Sequence, residues 1–289
     1  MKEKPKNFGE MSLDQAWNFV FDNFPFKGYI PEARKSSYFE MPVSVSDYLD
    51  KGSLILDFGA GPCDKTAMLS LTGYEVIAYD DFGDDWHNIS DNKMKILEFA
   101  RKAQIEYVEP DKEGNFSFPE NHFDGIILNN VIEHFHDSPG PLLNMLLRSL
   151  KVGGYIFIAV PNAVNLRKRI DVVLGKTNYP QMAYYFWATP WRGHIREYVK
   201  GDLKLLNKFL GLIEEESSTH HYHLDKLGAL QRYIFRVVCN FFPAFRESWL
   251  YVGKKPVNWS EKLSPSDEEF KMAYGMQYFN YEKEDVTAK

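Results

Sequence analysis

The sequence predicts an α/β fold, a doubly wound and mostly parallel sheet, and three observations predict it. The first is Leu54-Ile-Leu-Asp57-Phe-Gly59-Ala-Gly61-Pro-Cys63-Asp64, an apolar β-type run ending in an acid and two close glycines, which describes a strand breaking into a ligand-gripping turn. The second is the alternation of short apolar runs with helical stretches over the first two-thirds of the chain, the pattern of parallel βαβ units. The third is that Asp57, Asp80, Asp111 and Asn129 fall where those runs end. Ligands of such sheets bind beyond the carboxyl ends of the strands.

Taken in order, Ser12-Leu-Asp-Gln15 is a capping-box pattern opening a helix that carries Trp17, Phe19, Val20 and Phe24. Residues 1–47 are read as an N-terminal helical lid. The first strand leads through its glycine turn into a helix over 65–71. Such a turn is shared by dinucleotide folds and other nucleoside-binding folds, so its surroundings must decide. Neither Cys63 nor Asp64 supplies the third glycine that a dinucleotide fingerprint wants after Gly59 and Gly61, which argues against close approach to a pyrophosphate and against a nicotinamide oxidoreductase. The second strand, Tyr74-Glu-Val-Ile-Ala-Tyr79, ends in Asp80 and Asp81, about 20 residues beyond the turn, where a carboxylate can accept hydrogen bonds from ribose hydroxyls. Asp137-Ser138-Pro139 starts a helix, since proline in the first turn has no N–H to lose. Leu142, Leu143, Met145, Leu146 and Leu150 recur at helical spacing, and Gly153-Gly154 is expected to end that element.

With these residues in view, the chain resembles the class I S-adenosylmethionine-dependent methyltransferases over residues 48–255. Asp57-Phe-Gly59-Ala-Gly61 matches the family's first motif, whose usual form commonly adds a third glycine; Cys63 is the departure. Asp80 matches the acid closing the second strand. Ile105-Glu-Tyr-Val-Glu-Pro-Asp111 resembles the third strand and the acid that approaches the adenine amino group. Phe123-Asp124-Gly-Ile-Ile-Leu-Asn129-Asn130-Val-Ile-Glu133-His134 resembles the fourth strand and its loop, and Leu150-Lys-Val-Gly153-Gly154-Tyr-Ile-Phe-Ile-Ala-Val160-Pro161-Asn162 the turn and fifth strand. The resemblance implies a Rossmann-like sheet of seven strands whose last, Ser248-Trp-Leu-Tyr-Val252-Gly-Lys-Lys255, is antiparallel. It implies S-adenosylmethionine as cofactor, with Asp57, Gly59 and Gly61 shaping its turn, Asp80 holding the ribose, Asp111 the adenine edge and Asn129 the loop near the methionine moiety. It also implies acceptor-side insertions, read here at about 163–197 and 224–246, and a tail over 256–289 with aromatics at Tyr274, Tyr278, Phe279 and Tyr281.

Methyl transfer asks the protein chiefly for alignment, yet an oxygen acceptor still has a proton to lose, and a histidine suits that task. The segment Trp187-Ala-Thr-Pro-Trp191-Arg192-Gly193-His194-Ile-Arg196-Glu197-Tyr198 reads either as a packed connecting loop or as a pocket wall. Resemblance to small-molecule and sugar methyltransferases places His194 near the active-site mouth, so His194 is the first candidate for acceptor contact or base, His134 the second and His136 a third. Glu133, His134 and His194 also supply oxygen and nitrogen ligands for a divalent ion, similar to the Glu-x-x-Glu-His run of small-RNA 2′-O-methyltransferases and quinone-pathway O-methyltransferases. Here Asn130, a neutral amide, stands at the first position, so no metal is expected. A second histidine group, His220, His221 and His223, is placed on a sixth strand over 212–223, where alternation leaves no third ligand.

Composition bounds the rest. The chain has 289 residues, 44% apolar and 16% aromatic, which suits one domain with additions. A net charge of −6 argues against duplex nucleic acid, and Arg167-Lys168-Arg169, the single compact basic run, reads as a solvated helix face. Two cysteines, no apolar signal core and no long apolar run make the cytoplasm the expected location. Leu227, Leu230, Tyr233, Ile234, Val237 and Val238 at helical spacing predict a helix that packs on the domain or caps the acceptor pocket, with peripheral membrane contact through 227–245 as the other reading. The expected function is O-methylation of a small polar acceptor such as a sugar or surface-glycan precursor. The rival from another class is a non-catalytic sensor or assembly protein on the same fold.

Overall fold

The computed structural model describes residues 10–112, 117–221 and 227–274. Its strands are β1 (Leu54–Phe58), β2 (Glu75–Tyr79), β3 (Glu106–Val108), β4 (Phe123–Asn129), β5 (Leu150–Pro161), β6 (Ile213–His220) and β7 (Ser248–Lys254). They form one sheet in the order β3-β2-β1-β4-β5-β7-β6. β7 runs antiparallel to both neighbours, β5 and β6, and every other pairing is parallel. This is the Rossmann-like, seven-stranded sheet that the resemblance implied.

Ten α-helices are described: α1 (Leu13–Asn23), α2 (Lys35–Ser46), α3 (Asp64–Leu71), α4 (Asn92–Lys102), α5 (Pro139–Ser149), α6 (Leu166–Val173), α7 (Met182–Trp187), α8 (Lys200–Leu210), α9 (Ala229–Phe241) and α10 (Asp267–Tyr274). α1 opens with the predicted capping box: Ser12 Oγ accepts from Gln15 N at 3.3 Å and Gln15 Oε1 accepts from Ser12 N at 2.9 Å. α5 opens as predicted at Pro139 with Ser138 as its cap, and α8 ends on Gly211 in the left-handed conformation at φ 64°. The end of α5 differs from expectation. The helix stops at Ser149, and Leu150 already pairs with Phe123; the register then jumps to Gly125 opposite Tyr155. Residues 151–154 therefore form a bulge in β5, with Gly153 at φ 80°, and the glycines shape a strand irregularity rather than a helix end.

Alternation on the central strands divides the core. Leu56, Ile126, Leu128, Ile156 and Ile158 face α5 and α8, meeting Leu143, Leu146, Leu147 and Leu203. Ile55, Ile127 and Phe157 face the other way, toward Met41 and Val45 of α2 and Leu69 of α3. Strands buried on both faces need apolar residues at nearly every position, which is why they read as runs. α1 closes the cofactor side, where Trp17 and Val20 pack with Met68 and Phe99.

Two regions depart from their sequence reading. Lys168 is buried rather than solvated, and its ammonium pairs with the Glu197 carboxylate. The aromatics of 187–191 are not core: Trp187 is exposed, and Trp191 packs against Tyr184 and Tyr185 of α7, themselves exposed. The tail packs on the domain: Trp259 Nε1 donates to Leu210 O at 2.9 Å, and Lys208 of α8 donates to Glu268 of α10 at 3.5 Å. Of the tail aromatics, Tyr278, Phe279 and Tyr281 lie outside the described residues, as does His223. Among the described residues, no helix is long and apolar enough to cross a membrane.

Candidate active site

The strand order reverses between β1 and β4, whose carboxyl ends part there and leave a crevice. A cleft of about 410 Å³ occupies that position. Asp57, Gly59, Gly61 and Asn129, all named from sequence, line it. So do Tyr29, Arg34, Tyr38, Asp64, Lys65 and Asn130, which sequence reasoning missed. The N-terminal lid supplies the first three, and no local signal tied them to the turn.

Each element of the turn has a physical reason. Gly59 sits at φ 76°, and its N–H and that of Ala60 donate to Tyr79 O at 2.8 and 3.0 Å, fastening the loop across β2. A Cβ on Gly59 would lie 2.6 Å from Val131 Cγ2, so only glycine lets the loop after β4 approach. Gly61, at φ 54°, faces open space: a Cβ built there meets nothing within 4 Å. Cys63 adopts φ 63° although it is no glycine, at a cost of roughly 1–2 kcal/mol, so the backbone there keeps the left-handed conformation that a third glycine takes easily. Tyr107 Oη donates to Gly61 O at 2.9 Å and supports the turn from β3.

The carboxylates divide by environment. Asp57 is buried and accepts from Thr66 Oγ1 at 2.6 Å; burial lifts its pKa to about 6, against the pull of Thr66 and Lys65. Asp64 accepts from the Tyr38 hydroxyl, and burial likewise raises its pKa. Asp80 accepts from Gly61 N and Phe82 N, each at 2.8 Å, and burial raises its pKa despite these bonds. Asp80 thus holds the glycine turn and is not among the cleft-lining residues. Asp111 is exposed and lies outside that lining too.

A second group stands on the loop after β4. Glu133 is wholly buried and its carboxylate takes no hydrogen bond from another residue; burial lifts its pKa to about 8 against the pull of its own backbone N–H and the Lys65 charge. Its backbone carbonyl accepts from Ile195 N at 2.7 Å, which draws the 194–197 segment onto the loop. His134 Nδ1 contacts Arg192 O at 3.0 Å, and His194 Nδ1 contacts Glu197 Oε1 at 2.9 Å. Ligand atoms of Glu133, His134 and His194 all lie within 4.8 Å of one another, a spacing that could hold a divalent ion. Desolvation, then the charges of His134 and Lys168, lower the His194 pKa to about 4. His136 Nε2 contacts Trp191 O at 2.9 Å.

A family comparison matches residues 32–212 to the Methyltransferase domain, spanning the crevice, its glycine turn and the histidine pair. The chain belongs to that methyltransferase family. The motif resemblance to class I S-adenosylmethionine-dependent methyltransferases therefore holds. No curated protein matches the chain. Similar folds include the PH0226 protein from Pyrococcus horikoshii OT3, 20% identical with a TM-score of 0.50, covering 83% of this chain and 98% of that one. A Methanosarcina mazei S-adenosylmethionine-dependent methyltransferase is 13% identical with a TM-score of 0.50, covering 74% and 98%. The Haemonchus contortus phosphoethanolamine N-methyltransferase 2, solved with S-adenosylmethionine, is 15% identical with a TM-score of 0.51, covering 86% of this chain and 58% of that one. At these identities the likeness concerns the fold.

Proposed function

We propose that this methyltransferase transfers the methyl group of S-adenosylmethionine to an oxygen of a small polar acceptor, of which a sugar or surface-glycan precursor is the favoured class. The observation that carries the cofactor assignment is the cleft at the sheet reversal, with open space above Gly61 and buried carboxylates, Asp57 and Asp64, at its wall. Bound there, S-adenosylmethionine supplies a methyl group already activated by its positive sulfur. Asp57, Gly59, Gly61 and Asn129 would hold it, with Tyr38 and Tyr29 closing over it from the lid. Calorimetric titration with S-adenosylmethionine, S-adenosylhomocysteine and a nicotinamide dinucleotide tests this. Binding of the adenosyl ligands alone is expected, and dinucleotide binding would overturn it.

The chain's own part in the chemistry falls to alignment and to the acceptor proton. With Nδ1–H donated to Glu197, His194 presents Nε2 as a lone-pair acceptor to an incoming hydroxyl. An imidazole with a pKa near 4 is neutral at pH 7 and therefore free to accept, but it is a weak base, so it orients the hydroxyl more than it retains the proton. The rate is expected to hold through pH 6.5 and to fall only as pH approaches 4, because protonation removes the lone pair. His194→Gln is expected to slow transfer by roughly 10- to 100-fold, at the low end of general-base effects. A pH profile with its acid limb near 6.5 would count against this assignment.

A second reading, a divalent cation on Glu133, His134 and His194, is supported by their convergence and by the Glu133 carboxylate, which takes no hydrogen bond from another residue. Manganese titration followed by paramagnetic resonance separates the two: saturable binding lost in Glu133→Gln supports the cation, and no binding removes it. The outward apolar residues of α9, Leu230, Tyr233 and Phe241, support peripheral contact with a lipid surface as an accessory to either reading.

A further inference from the structure

Arginines from three segments of the chain converge on one cavity that the methyl-transfer reading leaves unused. It measures about 360 Å³ and is lined by Arg34 ahead of α2, Arg232 and Arg236 of α9, Arg246 ahead of β7, and His220 and His221 at the end of β6. Among the described residues Glu40 is the one carboxylate in that lining, and burial lifts its pKa to about 8, so it carries little charge at neutral pH. The protein as a whole is acidic, at net charge −6, so the concentration is local.

The construction of α9 points the same way. Arg232 and Arg236 stand four residues apart, a like-charge spacing that weakens a helix on its own. A surface helix ordinarily turns its apolar stripe inward and its charges to water. In α9 the two arginines line the cavity while Leu230 and Tyr233 are 72% and 67% exposed. Two of the guanidinium groups are oriented by neutral carbonyls: Arg232 Nη2 donates to Leu227 O at 3.1 Å and Arg246 Nη1 to Thr219 O at 3.0 Å. Arg246 Nε and both ring nitrogens of His221 are buried without a hydrogen-bond partner, which is costly unless something supplies one.

Position connects this cavity to the reaction. Arg34 and Ser37 line both it and the cofactor cleft, and a narrow gap beside Asn129 and Asn130 shares Ser37, Glu40 and His220 with it. We propose that the arginine cavity binds a phosphate group of the methyl acceptor, which makes the acceptor a phosphate-bearing small molecule. This rests on the methyltransferase reading above and specifies its substrate class. A carboxylate offers two oxygens in one plane, which a single guanidinium fork satisfies. A phosphoryl group offers three oxygens around a tetrahedron and more charge, matching forks that arrive from separate elements.

Calorimetric titration of the full chain with inorganic phosphate, at low salt and with S-adenosylhomocysteine bound, tests the proposal. Saturable phosphate binding is expected, weakened about tenfold or more in Arg236→Ala, as befits a lost charge-assisted hydrogen bond. Arg236 is exposed, so the variant is expected to fold, and its affinity for S-adenosylhomocysteine should stay unchanged. Arg246→Gln provides an independent second variant. Absence of saturable phosphate binding, or equal binding in wild type and both variants, would overturn the proposal. So would a short RNA that binds more tightly than phosphate and is lost in Arg236→Ala, because the phosphate would then belong to a polymer. Failure of S-adenosylhomocysteine to bind is a separate result and would strike the methyltransferase reading itself.

Discussion

Gly61→Val is expected to lower S-adenosylmethionine affinity by at least about 100-fold, close to 3 kcal/mol, while the protein stays folded. The two halves of that result have different causes. A Cβ at Gly61 meets nothing within 4 Å, so the branch point of the added side chain collides with no part of the protein. Its direct cost is the strain of holding a branched residue at φ 54°, roughly 1–2 kcal/mol. The space it fills is that of the cleft, so the penalty falls on the ligand. Gly59→Ala is the contrasting variant: its Cβ would meet Val131 Cγ2 at 2.6 Å, so it is expected to destabilise the fold as well. Calorimetry with S-adenosylhomocysteine and a thermal melt of each variant check this. Unchanged affinity in Gly61→Val would remove the glycine turn from the cofactor site.

Glu133→Gln is expected to make the metal-free protein more stable at pH 8, by on the order of 4 kcal/mol, and to change little below about pH 4.5. The sign follows from the direction of the shift. The folded pKa stands at about 8, above the ordinary 4.5, so between these values the unfolded chain has released a proton that the folded chain retains. Stability at this residue is thus fully present below about pH 4.5 and is lost as pH rises through 8. Glutamine cannot ionise and avoids the loss. Urea unfolding across pH 4–9 in the presence of a chelator measures the difference, and parallel profiles for the two proteins would refute it. Stability alone would favour the amide at this position, on the loop that begins with the cleft-lining Asn130. If manganese binds, its addition should reverse the order by stabilising wild type alone.

Much of the architecture was legible because it depends on local pattern. Strands buried on both faces must be apolar throughout, so β1, β4 and β5 announced themselves; a capping box and a proline in the first turn marked the starts of α1 and α5. The cofactor turn was legible for a similar reason: an acid and two glycines at close spacing encode backbone angles and a close approach, both properties of neighbouring residues. Asp57, Gly59, Gly61 and Asn129 meet in the cleft as their strand-end positions required.

What the sequence by itself determined, then, was the sheet, its ligand-binding edge and the glycine turn, since each is written in residues a few positions apart. Only the tertiary structure decided which side chains arrive from afar. Tyr38 reaches Asp64 from the lid, Lys168 buries its charge against Glu197, and Arg34, Arg232, Arg236 and Arg246 gather around one cavity from segments separated by up to about two hundred residues. A run of three basic residues looked like the notable cationic feature, yet its central lysine is neutralised in the fold, whereas four scattered arginines form the concentrated positive site. The physical reason is that charge acts through space: its strength depends on distance and burial, and neither is fixed by separation along the chain.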